Sequence, residues 1–204
     1  MAIFDFNQEL ILEDQRVLLR PLLQSDEQFL LCFSEEEPEI WQWNRGGAAG
    51  AANLKRYVET ACHARERNEQ YAFIVFDKQK KRYAGSTRYY NIFSDHATAE
   101  IGFTWYGKDF RGSGLNTHCK YLLLEYLFDV LGFERAGFRA NTKNERSIRA
   151  MRSIGCREEG VLRSFYKNEN GERMDAIVLS ILREEWNTGI KSMLTQRIHH
   201  EDRT

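Results

Sequence analysis

Apolar residues follow two kinds of spacing along this chain, one typical of β-strands and one typical of α-helices. The strand-like runs are short, rich in β-branched and aromatic residues, and bounded by charged or glycine-containing turns. They cover residues 16–21, 71–76, 83–92, 99–105, 135–141, 161–166 and 174–182. The last two runs flank Asn170-Gly171, a strong turn signal, and are therefore predicted to pair as a hairpin.

The helical segments instead repeat an apolar residue every three or four positions. They are predicted from Ser25 or Asp26 to Phe33, from an N-cap at Asn53 to Ala61, and over 113–131, 144–154 and 184–197. Residues 35–52 are expected to be irregular, and the tail 199–204 to be loose. This order of elements predicts an α/β (α+β) fold, with helices packed around one twisted sheet.

The composition fits one globular domain that comprises residues 1–204. Hydrophobic residues make up 42% and charged residues 29%, and the two prolines and the absence of a low-complexity tract leave no linker between domains. The formal net charge of -1 argues against broad electrostatic binding to nucleic acid or to an anionic membrane.

Targeting and redox signals indicate a cytoplasmic protein. The first residues lack the basic and apolar regions of a secretory signal, and no run of eighteen apolar residues predicts a transmembrane helix. The four cysteines stand far apart, without a CxxC pair, so neither a disulfide framework nor a metal site is expected. Cys119 and Cys156 fall in apolar patterns and are predicted to be buried thiols.

The most informative segment joins a strand to the longest predicted helix. Glu100 to Trp105 form the strand, and Arg111-Gly112-Ser113-Gly114-Leu115-Asn116-Thr117 open the helix. Glycines let the backbone approach an anion closely, and the unpaired N–H groups of a first helical turn point at it. A plain turn has the same glycine spacing, so the loop alone leaves both readings open. The lack of Gly-Lys-Ser/Thr argues against a P-loop nucleotide site.

Several motifs in order resemble the GNAT acetyltransferase superfamily and its RimJ/RimL-like branch of N-acetyltransferases. Arg111-x-x-Gly114-x-Asn116 is similar to the pyrophosphate loop of that family. Asn144-Glu145-Arg146-Ser147 and the segment 155–160 resemble the Asn-x-x-Ser and Gly-Phe-x-x-Glu-Gly signatures of the branch. The resemblance spans about 16–187, nearly the whole domain. Asn116 replaces a small residue and is expected to add a hydrogen bond to the pyrophosphate; Cys156 replaces an aromatic residue.

The resemblance implies a single GNAT-type domain whose sheet is mixed, mostly antiparallel and splayed at its central strands. Acetyl-CoA would be the cosubstrate, without a metal, and would lie between the strands at 100–105 and 135–141. The resemblance assigns coenzyme binding to the main chain of three strand residues, to the loop and to one helix cap. These residues are Phe103, Thr104, Trp105, Arg111, Gly112, Ser113, Gly114, Leu115, Asn116, Thr117 and Asn144.

Candidate catalytic and substrate residues follow from the same resemblance. Glu100 is the first candidate for the base, acting through water, and Glu159 is the second, although each carboxylate could equally sit in a structural ion pair. Ser147 matches a position that protonates or positions the departing thiolate. Trp41 and Trp43 lie where the family builds its acceptor pocket; packing under a long loop explains them equally well.

The predicted function is transfer of an acetyl group from acetyl-CoA to a primary amine by direct attack in a ternary complex. A protein N-terminus, a polyamine or a small amine all remain as acceptors, and a homodimer is left open. One alternative is a non-catalytic module that senses acyl-CoA, and a weaker one is a nucleotide-binding protein that uses the loop 111–116.

Overall fold

A computed structural model of the chain describes residues 3–43, 47–168 and 170–201. Eight strands form one sheet. They are β1 (Leu12–Glu13), β2 (Val17–Pro21), β3 (Gln70–Asp77), β4 (Arg82–Phe93), β5 (Thr98–Tyr106), β6 (Arg135–Asn141), β7 (Arg157–Lys167) and β8 (Arg173–Leu182). Their order in the sheet is β1-β2-β3-β4-β5-β6-β8-β7.

Six α-helical segments cover the two faces of this sheet. They are α1 (Glu27–Glu36), α2 (Ala51–Glu66), α3 (Leu115–Glu125), α4 (Glu145–Ser153), α5 (Arg183–Glu185) and α6 (Lys191–Glu201). A π-helical turn extends α3, and a second one joins α5 to α6. Contacts place α1 and α2 together on one face and α3 against α6 on the other. No helix in the described ranges is both long and apolar enough to cross a membrane.

The sheet opens between its two central strands. All neighbouring strands pair antiparallel except β5 and β6, which are parallel. Their register covers only Thr98–Glu100 against Arg135–Gly137, although both strands continue beyond these residues. Beyond the third pair the two strands diverge, which confirms the predicted splay and leaves a gap in the middle of the sheet.

The starts of α2 and α4 test two predicted helix caps. The prediction that Asn53 caps the second helix is wrong, because α2 begins at Ala51 and Gly50 is its cap. Gly50 adopts φ +82°, and its carbonyl accepts from the amides of Asn53 and Leu54, so the first turn is already closed there. The predicted cap at Asn144 is confirmed, since its side chain accepts from the Ser147 amide.

Two further expectations need correction, and one is confirmed. The tail is not loose from 199, because α6 continues to Glu201 on the buried side chains of Leu194 and Ile198; residues 202–204 lie outside the described part. The predicted hairpin about Asn170-Gly171 is confirmed, since β7 and β8 pair antiparallel up to Lys167 with Arg173. Strand β7 begins at residue 157, four residues before the predicted start, because Arg157 and Glu158 already pair with Ser180 and Leu179 of β8.

Candidate functional site

A cavity of about 640 Å³ occupies the gap between β5 and β6. Its wall includes Gln70 and Tyr90 on the face of the sheet that α2 covers. It also includes Lys120 and Thr117 of α3 on the opposite face. The cavity therefore reaches both faces of the sheet through the splay, and its volume suits a small organic ligand.

The glycine-rich loop forms one end of this cavity. Gly114 is the N-cap of α3 and adopts φ +81°, a conformation that favours glycine. Arg111 is anchored through its Nε, which donates to the Tyr106 carbonyl at 3.0 Å, and the Ser113 hydroxyl donates to the Phe110 carbonyl at 2.8 Å. The Thr117 amide donates to the Gly114 carbonyl at 2.8 Å, and the amides before it at the start of α3 have no acceptor within the helix and are available to an anion.

Most of the predicted loop residues line the cavity. They are Arg111, Gly112, Ser113, Gly114, Asn116 and Thr117. Leu115 instead is buried in the core, where it anchors the first turn of α3. The oxygen of the Asn116 amide accepts from the Tyr106 hydroxyl at 3.4 Å, so its NH₂ group is the half of the side chain that can donate to a ligand.

Strand β5 carries a bulge where it lines the gap. Its register with β4 passes from Arg88 opposite Gly102 to Ser86 opposite Trp105, so one extra residue is inserted. Phe103 takes up this insertion with φ +50°. Phe103, Thr104 and Trp105 all line the cavity, beyond the last pair of β5 with β6. Backbone groups on this edge can pair with an extended ligand as a strand would.

The start of α4 contributes polar and charged groups from the other side of the gap. Asn144 and Ser147 both line the cavity, and the Asn144 side-chain oxygen accepts from the Ser147 amide at 3.1 Å. Arg146 lies there too, and burial followed by the positive charge of Arg111 lowers its pKa. Two guanidinium groups close enough to affect each other favour binding of a multiply charged anion.

Glu100 lies beside the cavity, in an ion pair with Arg139. Both carboxylate oxygens accept from the Arg139 guanidinium, with one contact at 2.7 Å, and Asn91 donates a further hydrogen bond at 3.1 Å. Burial by itself raises the pKa of Glu100, but hydrogen bonds from Arg139, Asn91 and Tyr90 bring it below its usual value. Arg139, rather than Glu100, is the member of the pair that lines the cavity.

Glu159, the second candidate for the base, lies away from the other candidate site residues. Its carboxylate accepts two hydrogen bonds from Arg135 and one from the Ser180 hydroxyl at 2.8 Å. The hydrogen bonds from Arg135 lower its pKa. Glu159 does not line the cavity, which makes the ion pair its evident role.

Of the two candidate tryptophans, one lines the cavity and the other does not. Trp43 lines the cavity, whereas Trp41 is buried in the core. The Trp41 ring packs edge-on against Trp105, with 4.7 Å between the ring centroids. Trp41 therefore supports the cavity wall from behind, and Trp43 belongs to its surface.

Lys120 is a cavity residue that the sequence analysis missed. Its Nζ donates to the Thr104 hydroxyl at 2.8 Å and to the Thr87 hydroxyl at 3.3 Å, and the residue is 5% exposed. Burial lowers the pKa of Lys120 to about 8. The sequence carries no signal for it, because a lysine within an amphipathic helical pattern is expected to face water.

His118, two residues before Lys120 on α3, is also buried. Its Nδ1 lies 2.7 Å from an Asp14 carboxylate oxygen. The hydrogen bond ties α3 to the turn between β1 and β2. His118 is not part of the cavity wall, and its contact with Asp14 points to a structural role.

Comparison with known proteins identifies the fold around this cavity. A family model described as an acetyltransferase (GNAT) domain matches residues 16–157. The uncharacterized N-acetyltransferase p20 of Bacillus licheniformis is 23% identical over 84% of this chain and 96% of its own. The crystal structure of a GCN5-related N-acetyltransferase from Brucella melitensis superposes with a TM-score of 0.84, at 26% identity over 94% of this chain and 86% of that one.

A more distant structure shares the fold. It is that of a ribosomal-protein-S5-alanine acetyltransferase from Vibrio fischeri, with a TM-score of 0.68 and 18% identity over 87% of this chain and 98% of that one. With the family model, the named relatives and the open central strands in agreement, the chain belongs to the GNAT acetyltransferase family and is an N-acetyltransferase.

Proposed function

We propose that this chain transfers the acetyl group of acetyl-CoA to a primary amine while both reactants are bound. The observation that carries the proposal is the continuous cavity, which runs from the glycine loop through the gap in the sheet to the face covered by α2. A coenzyme that enters along the loop and an amine that enters from the other face meet in the gap. Such a meeting favours direct attack, without a covalent intermediate on the chain.

The residues present fit acetyl-CoA. The first-turn amides of α3, with Arg111 and Arg146, supply donors and positive charge for the phosphates. The backbone of 103–105 offers an edge along which the pantetheine arm can lie. Asn144 contributes its amide at the opposite wall, where it also caps α4.

The transfer requires two proton movements. The amine nitrogen forms a bond to the thioester carbonyl carbon, the carbon–sulfur bond breaks, the nitrogen loses a proton and the thiolate gains one. Backbone N–H groups at the bulge of β5 can stabilise the negative charge that develops on the carbonyl oxygen. The side chains around the gap then have to supply one proton and accept another.

We assign the supply of the proton to Lys120. A serine hydroxyl such as that of Ser147 is a poor acid, and its position suits a hydrogen bond that orients the sulfur. Lys120 lines the same cavity, is held by Thr104, and has a pKa of about 8, close to the pH at which it would work. Its ammonium group also places a positive charge near the forming thiolate.

Glu100 remains the preferred candidate for the base. Glu100 lies next to the cavity because it pairs with Arg139, which lines it, whereas Glu159 has no such link to the cavity. The pKa values of both carboxylates are below their usual values, so each accepts a proton weakly at neutral pH. We therefore expect the rate to depend on how much of the amine is already neutral, and Glu100 to act through water.

The test is the release of coenzyme thiol from acetyl-CoA in the presence of a panel of primary amines. The panel includes a peptide N-terminus, a polyamine and amino acids, and calorimetry compares acetyl-CoA with ATP. The proposal expects acetyl-CoA to bind, ATP to bind poorly and at least one amine to release thiol. Binding without release by any amine would instead favour an acyl-CoA sensor. Glu100→Gln should slow release more than Glu159→Gln.

A further inference from the structure

Arg88 is a buried cation that the reaction described above does not use. It lies in β4, and it is 3% exposed. Its guanidinium carbon lies 4.8 Å from the centre of the Tyr57 ring and 4.3 Å from that of Phe103, so the group is held between two aromatic faces. One nitrogen, Nη1, donates to the Gln70 side-chain oxygen at 2.8 Å.

The other two nitrogens of this guanidinium have no acceptor. Arg88 Nε and Nη2 are fully buried and make no hydrogen bond. The contacts that the described part of the chain makes with Arg88 are one amide oxygen and two aromatic faces, and none is a carboxylate. A buried charge without a partner of opposite charge is strongly unfavourable. Arg88 is therefore incomplete as a purely structural residue.

Arg65 is a second arginine that stacks on an aromatic ring, and its contacts are those of a structural residue. Its guanidinium lies 4.6 Å from the centre of the Tyr71 ring. Its Nε donates to the Phe6 carbonyl at 2.9 Å and its Nη2 to the Gln8 carbonyl at 3.0 Å. The two nitrogens that lack an acceptor in Arg88 are both satisfied in Arg65.

The position of Arg88 connects it to the acceptor side of the cavity. Two of its three contact partners, Gln70 and Phe103, line the cavity wall. Residue 88 is adjacent in the strand to Thr87, whose side chain meets Lys120 on the α3 face, so Arg88 lies on the opposite face, with Tyr57 of α2. Arg88 thus stands behind the wall at which the amine would enter.

We propose that Arg88 binds a carboxylate of the acceptor when the Phe103 ring, which contacts the guanidinium and lines the cavity, moves aside, so that the substrates are primary amines that also carry a carboxylate. The inference rests on the proposed acetyl transfer. On this face Arg139 is already neutralised by Glu100, which leaves the single charge of Arg88 to be balanced. A carboxylate carries one negative charge and can accept from Nε and Nη2 together, whereas a phosphomonoester carries more charge than the site offsets. Polyamines are disfavoured by like charge.

The experiment compares matched acceptors that differ only in the anionic group. Thiol release is measured with the protein amino acids that carry a primary amine and with β-alanine, each beside its carboxamide, and with phosphoethanolamine. We expect at least one acid to exceed its carboxamide by about a hundredfold in kcat/KM, because a site built for a charged group rejects the analogue that lacks it. In Arg88→Met the ratio should fall below about threefold, and in the control Arg65→Met it should stay high.

Melting temperatures give a second reading that does not depend on turnover. Without acceptor, Arg88→Met should melt above the parent, since it removes an unpaired buried charge, and Arg65→Met should melt below it. With coenzyme A present, the preferred acid should raise the melting temperature of the parent and not that of Arg88→Met.

Three results would overturn the proposal. One is a parent protein that neither uses nor binds any acid better than its carboxamide. Another is an Arg88→Met variant that is destabilised like Arg65→Met and keeps the preference of the parent, as a structural arginine would. The third is a preference for phosphoethanolamine over β-alanine. If no amine releases thiol but the melting shifts still favour the acids, acetyl transfer fails while the carboxylate site stands.

Discussion

Each face of the sheet holds one buried cation at the cavity, Lys120 in its wall and Arg88 behind its wall, and the two differ in whether they can lose their charge. Lys120 on the α3 face has a pKa of about 8 because burial disfavours its ammonium form. Arginine, by contrast, keeps its proton in proteins, so Arg88 on the α2 face can offset its burial only through a partner. The lysine can adjust to its surroundings by releasing a proton, and the arginine requires an anion.

Because of this difference, the two faces of the sheet are suited to different steps of the reaction. A group that exchanges a proton near neutral pH suits the side where a thiolate leaves, and a fixed charge suits the side where a substrate is recognised. Both cations flank the same two strands, since Thr87 and Arg88 are consecutive in β4 and Phe103 and Thr104 are consecutive in β5. The bulge in β5 brings both functions to one place in the sheet.

The largest effect is expected from Lys120→Met. The folded pKa of about 8 lies below the ordinary 10.5, so the unfolded chain binds more protons between these values and stability rises with pH across this window. Below pH 8 the full penalty is present, about 3 kcal/mol, since one pKa unit corresponds to about 1.4 kcal/mol. The variant should therefore be more stable than the parent at pH 7, by an amount that shrinks from pH 8 to 10.5 in denaturant titrations.

The same variant should lose activity while it gains stability. Its rate of thiol release should fall, and the decline of the parent rate above pH 8, where Lys120 loses its proton, should vanish from the pH profile. The exposed Lys55 serves as control, and Lys55→Met should change neither quantity appreciably. An unstable Lys120→Met variant would contradict the idea that the buried ammonium is a burden on the fold.

Gly114→Val should weaken acetyl-CoA binding at least tenfold and leave the acceptor face unaffected. A branched side chain blocks the close approach of an anion to the first turn of α3, and φ +81° adds strain of about 1–3 kcal/mol. Calorimetry measures the affinity, and melting reports the strain. Gly171→Val is the matched control, because Gly171 has φ +80° in the distant hairpin. Equal affinity in folded Gly114→Val and the parent would remove the loop from the phosphate site.

Asn144 can be tested for its two roles separately. Asn144→Ala should cost about 1 kcal/mol in unfolding free energy, because α4 loses its cap, and should also weaken coenzyme binding. Asn144→Asp keeps an acceptor for the Ser147 amide and hence most of the stability, but it loses the NH₂ donor. If coenzyme affinity is reduced in both variants, Asn144 contacts the pantetheine. If affinity falls only in Asn144→Ala, the variant that loses stability, Asn144 acts only as a helix cap.

Arg111→Ala should give the smallest effect, a loss of a few-fold in coenzyme affinity. The substitution removes one charge and leaves the backbone amides of the loop in place. The loss should diminish as salt is raised, since the contribution of a partly exposed charge is screened. Arg149→Ala, on the exposed side of α4, provides the comparison and should leave affinity unchanged. A loss that is independent of salt would indicate that Arg111 acts by holding the loop.

The sequence was sufficient for the elements that local chemistry determines. Strand β6 begins and ends at the predicted residues, and α4 begins after its predicted cap, because both have clear signals at their ends. The glycine loop was recognisable because the anion site is built from adjacent backbone groups. The missed start of α2 arose from Gly50, whose positive φ closes the turn without any capping side chain.

The buried cations could not be predicted in the same way, since a charged residue in an amphipathic pattern normally faces water. Lys120 is buried because its side chain runs from α3 onto the sheet, where its Nζ donates to Thr87 of β4 and Thr104 of β5. Arg88 lies opposite Ala72 and Gly102, small residues that leave room for a guanidinium under α2. The partners that Glu100 and Glu159 find, Arg139 and Arg135, also belong to a distant strand. Such contacts depend on tertiary packing, which spacing along the chain does not reveal.

The short pairing between β5 and β6 has a kinetic consequence. Because only three residue pairs join these strands, the reactants meet in a passage that is lined from both faces of the sheet, and neither has to cross the binding place of the other. Their order of addition is then expected to be random, and each product should leave by the side on which its precursor arrived. Coenzyme A should therefore compete with acetyl-CoA, and the acetylated product with the amine, in product-inhibition experiments.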